Sequence, residues 1–268
     1  MTGREELMNI RRNISFLPEI GNFGLCDLFL PDRASVTDIA VLTIHGGGWG
    51  AMSKESFEGV ALWLCDELGL PVCNINYRLV GTAPWPACGD DCLAAADFLL
   101  KSSLIPGCPE KRRIFVLGGS AGGHLALMTG LRLPPEKVEG IVSISGIGDL
   151  EEDRALDPAR YRGLFGHEPS ESEIRKASPA SYLTPDSPPI FCTHEFGDIV
   201  VPIASAKSFL EAVRKNGTVG ETFFYSKPEE TGYSHRIWIP GSDPHKLYAE
   251  VETAIAAFIK RQTNPHRS

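Results

Sequence analysis

No stretch of this 268-residue sequence approaches the roughly 20 apolar positions that a membrane-spanning helix needs. Positive charge is in short supply: 26 Lys and Arg against 34 Asp and Glu leave a formal net charge of −8. An acidic surface repels phosphate backbones and anionic lipid, so neither a nucleic acid nor a membrane is an expected partner. Internal repeats and low-complexity tracts are absent. The opening Met-Thr-Gly-Arg-Glu-Glu lacks the apolar core of a signal peptide. The seven cysteines are odd in number and include no C-x-x-C pair. Cys73 and Cys192 lie in apolar strand-like runs and Cys65 in a helix-like one, which suits buried free thiols in a reducing compartment. The expected location is cytoplasmic. Cys88 and Cys92 are four apart with no His or acid at ligand spacing, so no metal site is expected. No Lys-Ser/Thr follows a glycine loop, and no Asp ends the strand after the glycines, which excludes phosphate-loop and nicotinamide-dinucleotide readings.

What is present is an alternation of short apolar runs and helical patterns. Strands are expected at 23–30, 40–44, 72–76, 114–117, 138–145, 190–194 and 221–226. Helices are expected at 53–68, with Ser53 and Ser56 as candidate caps, and at 88–102, 121–131, 203–215 and 245–261. Residues 1–20 carry charge and little pattern. Short strands without clean alternation indicate a mostly parallel sheet covered by helices on both faces. No composition shift marks a second domain, so 1–268 reads as a single α/β domain. The segment 146–189 is too long for a plain connection and reads as a lid-like insert.

The chain is organised around Gly118-Gly119-Ser120-Ala121-Gly122, a G-x-S-x-G match between an apolar strand and a helix-like face. A strand that turns at once into a helix forces the turn residue to positive φ, and glycines two positions either side relieve the clash. The hydroxyl of Ser120 then stands clear of the sheet. The next N–H, from Ala121, sits at a helix start, where donors are unpaired and the dipole is positive. A serine hydroxyl is a weak nucleophile and needs a base, oriented by a third group. In open α/β sheets such groups sit beyond the carboxyl ends of strands. Asp198 lies a few residues past the 190–194 strand, and His235 lies past the last strand, on a loop containing Pro228, Gly232 and Ser234. Asp186 and Glu195 are rival acids. The other histidines, at 45, 124, 167, 194, 245 and 266, are worse placed after a strand. The order Ser120, Asp198, His235 is nucleophile, acid, base. His45-Gly46-Gly47-Gly48 follows another strand and allows close approach of backbone N–H groups to a bound ester. Gly47 and Gly48 together with Ala121 are the expected oxyanion hole. Trp49 and Phe57 either wall an acyl pocket or pack in the core.

These stretches resemble the α/β-hydrolase esterases of the hormone-sensitive-lipase and carbohydrate or feruloyl-esterase-like groups. The matching segments are HGGGWG (45–50), NYRL (76–79) with PWPACGDDCLAAADFL (84–99), RIFVLGGSAGGHLAL (113–127), ASPASY (177–182) with SPPIFCTHEFGDIVVP (187–202), and His235. The resemblance implies Ser120, Asp198 and His235 as a triad, Gly47, Gly48 and Ala121 as the oxyanion hole, and ester hydrolysis through an acyl-enzyme. It implies neither metal nor organic cofactor. The chain departs from the pattern at His194-Glu195, where the family usually has His-Gly, at Asn76-Tyr77-Arg78, and at Ser234-His235-Arg236. Only about forty residues of this sequence precede the HGGG strand, so the long N-terminal cap of lipase-like members is not expected.

The expected substrate is a small ester with a short acyl chain, first an acetyl ester on a carbohydrate, then a feruloyl or other aryl ester, then an arylformamide. A catalytically silent ligand-binding module of the same fold is the alternative of a different class.

Overall fold

The computed structural model describes residues 8–32, 38–155, 157–226, 235, 237–239 and 241–263. Eight strands form one sheet: β1 (Met8–Ser15), β2 (Leu25–Pro31), β3 (Ile39–Ile44), β4 (Val72–Ile75), β5 (Arg113–Gly119), β6 (Val138–Ile144), β7 (Ile190–Glu195) and β8 (Gly220–Tyr225). Their order is β1-β2-β4-β3-β5-β6-β7-β8. The first two strands run antiparallel to their neighbours, and the remaining pairs are parallel. Around the sheet lie α1 (Glu58–Leu68), α2 (Ala87–Lys101), α3 (Ala121–Arg132), α4 (Leu150–Arg154), α5 (Pro158–Phe165), α6 (Glu171–Ala177), α7 (Ile203–Lys215) and α8 (Ala249–Thr263).

Strand β5 shows why the apolar runs lack alternation. Ile114 and Val116 pack into one core with α2, α3 and α7, while Phe115 and Leu117 pack into a second with α1 and α8. Both faces are buried, so both sets of positions are apolar. The seven expected strands all form, within two residues at either end.

Three expectations need correction. The segment 1–20 contains a strand, β1, paired with β2. Its register shifts between Arg11 and Ile14, and Asn13 has φ of 55°. A bulge at a sheet edge breaks the period that a sequence reading relies on. The helix expected from Ser53 begins at Glu58, after a 3₁₀ turn at Lys54–Phe57. Ser53 makes no side-chain capping bond, and the Ser56 hydroxyl donates to the Ser53 carbonyl at 2.7 Å. The closing helix starts at Ala249 rather than His245. There the chain crosses α1 so closely that a Cβ on Gly59 would stand 2.0 Å from the His245 carbonyl oxygen.

The insert, 146–189, folds into three short helices. Asp149 and Asp157 cap α4 and α5, and Ser170 with Glu173 forms a capping box on α6. Their inner faces, with Leu150, Tyr161, Leu164, Phe165 and Ile174, belong to the α2/α3 core. Tyr182 donates to the Lys176 carbonyl at 2.9 Å and lies beneath Arg132. Six of the seven cysteines, Cys26, Cys65, Cys73, Cys88, Cys92 and Cys192, are buried free thiols, and Cys108 is half-buried. Among the described residues no helix is long and apolar enough to cross a membrane.

Candidate active site

Ser120 sits between β5 and α3 with φ 55° and ψ −122°, the strained turn that its neighbours allow. A Cβ on Gly118 would lie 2.1 Å from the Gly122 carbonyl oxygen, and one on Gly122 would lie 2.2 Å from that of Ile44. No side chain fits at either position, so the glycines of the motif are required by contact between backbones.

The structure brings together the three side chains singled out in the sequence, each beyond the carboxyl end of a parallel strand. His235 Nε2 is 2.9 Å from Ser120 Oγ, and His235 Nδ1 is 2.7 Å from Asp198 Oδ2. A carboxylate only accepts, so Nδ1 carries the proton and Nε2 accepts from the serine hydroxyl. The loop residues Pro228, Gly232, Ser234 and Arg236, and also His266, lie outside the described residues.

Asp198 is 5% exposed, in a turn that supplies its own donors. The N–H groups of Val200 and Val201 both donate to Oδ1 at 2.9 Å. His194 donates from Nε2 to the Val201 carbonyl at 2.7 Å and lies 3.4 Å from Asp198 Oδ2. Burial alone would raise the Asp198 pKa. Hydrogen bonds from His194, His235 and the Val201 N–H outweigh it and hold the carboxyl well below its ordinary value. Asp198 is therefore a carboxylate at neutral pH. Glu195, the rival acid, ends β7 with Oε2 buried and without a partner, among the described residues. Asp186 lies before β7, exposed.

The glycine turn is braced from the opposite side. His45 Nδ1 donates to the Gly46 carbonyl at 2.8 Å, and the Tyr77 hydroxyl lies 3.1 Å from the carbonyls of both His45 and Gly46. The rings of His45 and Tyr77 stack at 4.2 Å. Arg78 in turn forks onto the buried Asp91 carboxylate through Nε and Nη2, at 2.9 and 2.6 Å. Gly47, with φ of 100°, accepts from the N–H groups of Gly50 and Ala51, which closes the turn. Gly47, Gly48 and Ala121 all line a cavity of about 250 Å³ that opens on Ser120 and His235. Among the described residues their N–H groups donate to no protein acceptor.

Trp49 also lines this cavity, but its ring is fixed from behind. It donates from Nε1 to His124 Nδ1 at 3.1 Å, and His124 donates from Nε2 to the Ala177 carbonyl at 2.8 Å. Phe57 stands one layer back, under Gly119 and edge-on to Trp238 at 5.2 Å, and Trp238 makes the wall in its place. The sequence reading missed Met52, Ile147, Arg160, Ile237 and Trp238 in that wall. Ile237 and Trp238 were signalled by their closeness to His235. Arg160 carried no signal, because it arrives from the insert.

Burial pushes both His45 and His124 down from 6.5 to about 4. The unfolded chain takes up those protons near pH 6.5 and the folded chain refuses them until about pH 4. Stability is therefore complete above 6.5 and falls as the pH drops toward 4, by up to about 3 kcal/mol for each ring. In urea unfolding between pH 7 and 4.5, His124→Gln is expected to lose about half of this decline. Gln can accept from Trp49 and donate to Ala177 without titrating. An unchanged slope would refute the assignment.

The BD-FAE family model matches residues 26–213. Hormone-sensitive lipase from Bos taurus is 34% identical over 140 residues, covering 51% of this chain and 18% of the lipase. A probable carboxylic ester hydrolase, LipM, from Mycobacterium tuberculosis is 26% identical over 217 residues, covering 74% of this chain and 50% of that protein. The chain thus spans half or less of the length of these relatives. Among solved structures, a truncated carbohydrate esterase from gut microbiota superposes with a TM-score of 0.77 at 19% identity, over 96% of each chain. That likeness shows the α/β-hydrolase fold. The family match runs from β2 through almost all of α7 and takes in the glycine turn, the Ser120 elbow and the Asp198 turn; this chain belongs to the BD-FAE family.

Proposed function

We propose that this protein is a serine carboxylesterase acting on small, short-acyl esters through an acyl-enzyme. The observation that carries the reading is the unbroken chain Ser120–His235–Asp198, at 2.9 and 2.7 Å, facing a cavity. His235 takes the proton from Ser120 as the hydroxyl oxygen attacks the ester carbonyl. The N–H groups of Gly47, Gly48 and Ala121 receive the developing oxyanion, and removal of one such donor typically costs on the order of 10²-fold in rate. His235 then passes its proton to the departing alcohol. Water, deprotonated by the same imidazole, releases the acid and restores the serine.

The size and wall of the cavity support the short-acyl reading. About 250 Å³, walled by Trp49, Met52, Ile147, Val201, Ile237 and Trp238, suits a few carbons rather than a long chain. An acetyl ester on a carbohydrate is the favoured natural substrate. The family membership and the carbohydrate esterase with which the fold superposes support it. A feruloyl or other aryl ester, stacked on Trp238, is the second reading. Across a series of p-nitrophenyl esters, kcat/KM is expected to peak between acetate and butyrate. A maximum at eight carbons or more would overturn the short-acyl reading. The proposed setting is cytoplasmic, in keeping with the six buried free thiols.

A further inference from the structure

We propose that Arg160, on α5 of the insert, is a positioning residue that holds the acid turn in register with the imidazole; this rests on the esterase reading above. The side chain is 17% exposed and reaches out of the insert into the wall of the cavity. Nη1 donates to Asp153 Oδ2 at 2.8 Å, and Nη2 donates to the Val200 carbonyl at 2.5 Å. Asp157 Oδ2 lies 3.3 Å from the same nitrogen. The Asp153 carboxylate is fully buried on α4 and also accepts from the Tyr161 hydroxyl at 2.6 Å. The guanidinium is therefore seated from behind before it meets the turn.

Val200 is the middle of the segment that orients Asp198. Its N–H and that of Val201 donate to one oxygen of the carboxylate. The Val201 carbonyl is tied to β7 by His194, and the Val200 carbonyl is tied to the insert by Arg160. The Val200 and Val201 side chains pack against the core, so what Arg160 adds is the tie on the Val200 carbonyl; without it the peptide that carries the N–H groups aiming Asp198 loses its link to the insert. The cation is matched by Asp153 and Asp157, so its place in the cavity wall is not that of a receptor for an anionic substrate. A planar fork suits two acceptors at a fixed angle, which a lysine ammonium does not reproduce. The insert thereby acts on the reacting groups through one side chain.

The test is a double-mutant cycle on p-nitrophenyl acetate. Arg160→Met is combined with Asp153→Asn, so that no buried carboxylate is left without its partner. Arg160→Lys is made alongside. Both are measured in the parent chain and in Asp198→Ala, with melting curves to establish folding. In the parent background kcat is expected to fall about 10- to 10²-fold with KM within twofold, the loss typical of a misplacement near 1 Å. Arg160→Lys recovers part of it. In the Asp198→Ala background the same changes have no further effect. Equal losses in both backgrounds, or a rise in KM at constant kcat, would overturn the inference and leave the esterase reading standing. An Asp198→Ala enzyme as active as the parent would overturn both.

Discussion

Ser120→Ala is expected to lower kcat/KM on p-nitrophenyl acetate by about 10⁴-fold or more. The substitution removes the atom that would form the covalent bond. Cys192, on β7, is fully buried, and burial pushes its thiol up to about 12, so it offers no thiolate. The fold is expected to survive. The Ser120 backbone N–H is tied to the Ile144 carbonyl at 2.8 Å, and its carbonyl accepts from Gly123 and His124, none of which involves the hydroxyl. The residual rate would come from the oxyanion donors and the cavity. A covalent fluorophosphonate adduct, seen by mass spectrometry on the parent chain, should vanish in the same variant. A parent chain that takes no label would favour the ligand-binding module over the enzyme, and a variant still near the parent rate would remove Ser120 from the mechanism.

Asp198→Asn is expected to cost about 10⁴-fold in kcat with the fold intact. The turn itself dictates why. The N–H groups of Val200 and Val201 occupy one oxygen of the side chain, so an amide would keep its oxygen there and turn its NH₂ toward His235. Nδ1 would then have to accept, which puts the ring proton on Nε2, facing Ser120. That tautomer cannot take the serine proton. The same NH₂ would also face the donor Nε2 of His194, 3.4 Å from the acid in the parent chain. A rate within tenfold of the parent would show that the carboxylate neither orients nor stabilises the imidazolium.

Both substitutions concern residues legible in the sequence, and the reason is local. Ser120 is announced by Gly118 and Gly122, since a backbone packed 2.1 to 2.2 Å from a would-be Cβ leaves glycine as the sole choice. Asp198 follows a strand by three residues, at the carboxyl edge where a parallel sheet opens. His235 was placed by order along the chain rather than by a pattern around it. The central strands β3 to β7 were read well because burial on both faces makes each a dense apolar run. At the two sheet edges burial gives way, and there β8 was still legible from Phe223, Phe224 and Tyr225 while β1 was not. The bulged edge strand β1, with Arg11, Arg12 and Asn13 facing solvent, left no period to follow. The start of α1 was misplaced because Ser53 has the chemistry of a cap yet precedes a 3₁₀ turn instead.

By itself, the sequence determined the parallel sheet, the strained serine elbow, the glycine turn and the order of the three polar side chains. Each depends on spacing along a few residues, where backbone geometry leaves little choice of side chain. Only the tertiary structure decided that Arg160 meets Val200, forty residues on, that His124 bridges Trp49 to the insert, and that Trp238 rather than Phe57 faces the cavity. Such contacts are set by how helices pack across a sheet, and no period within either partner encodes the distance between them.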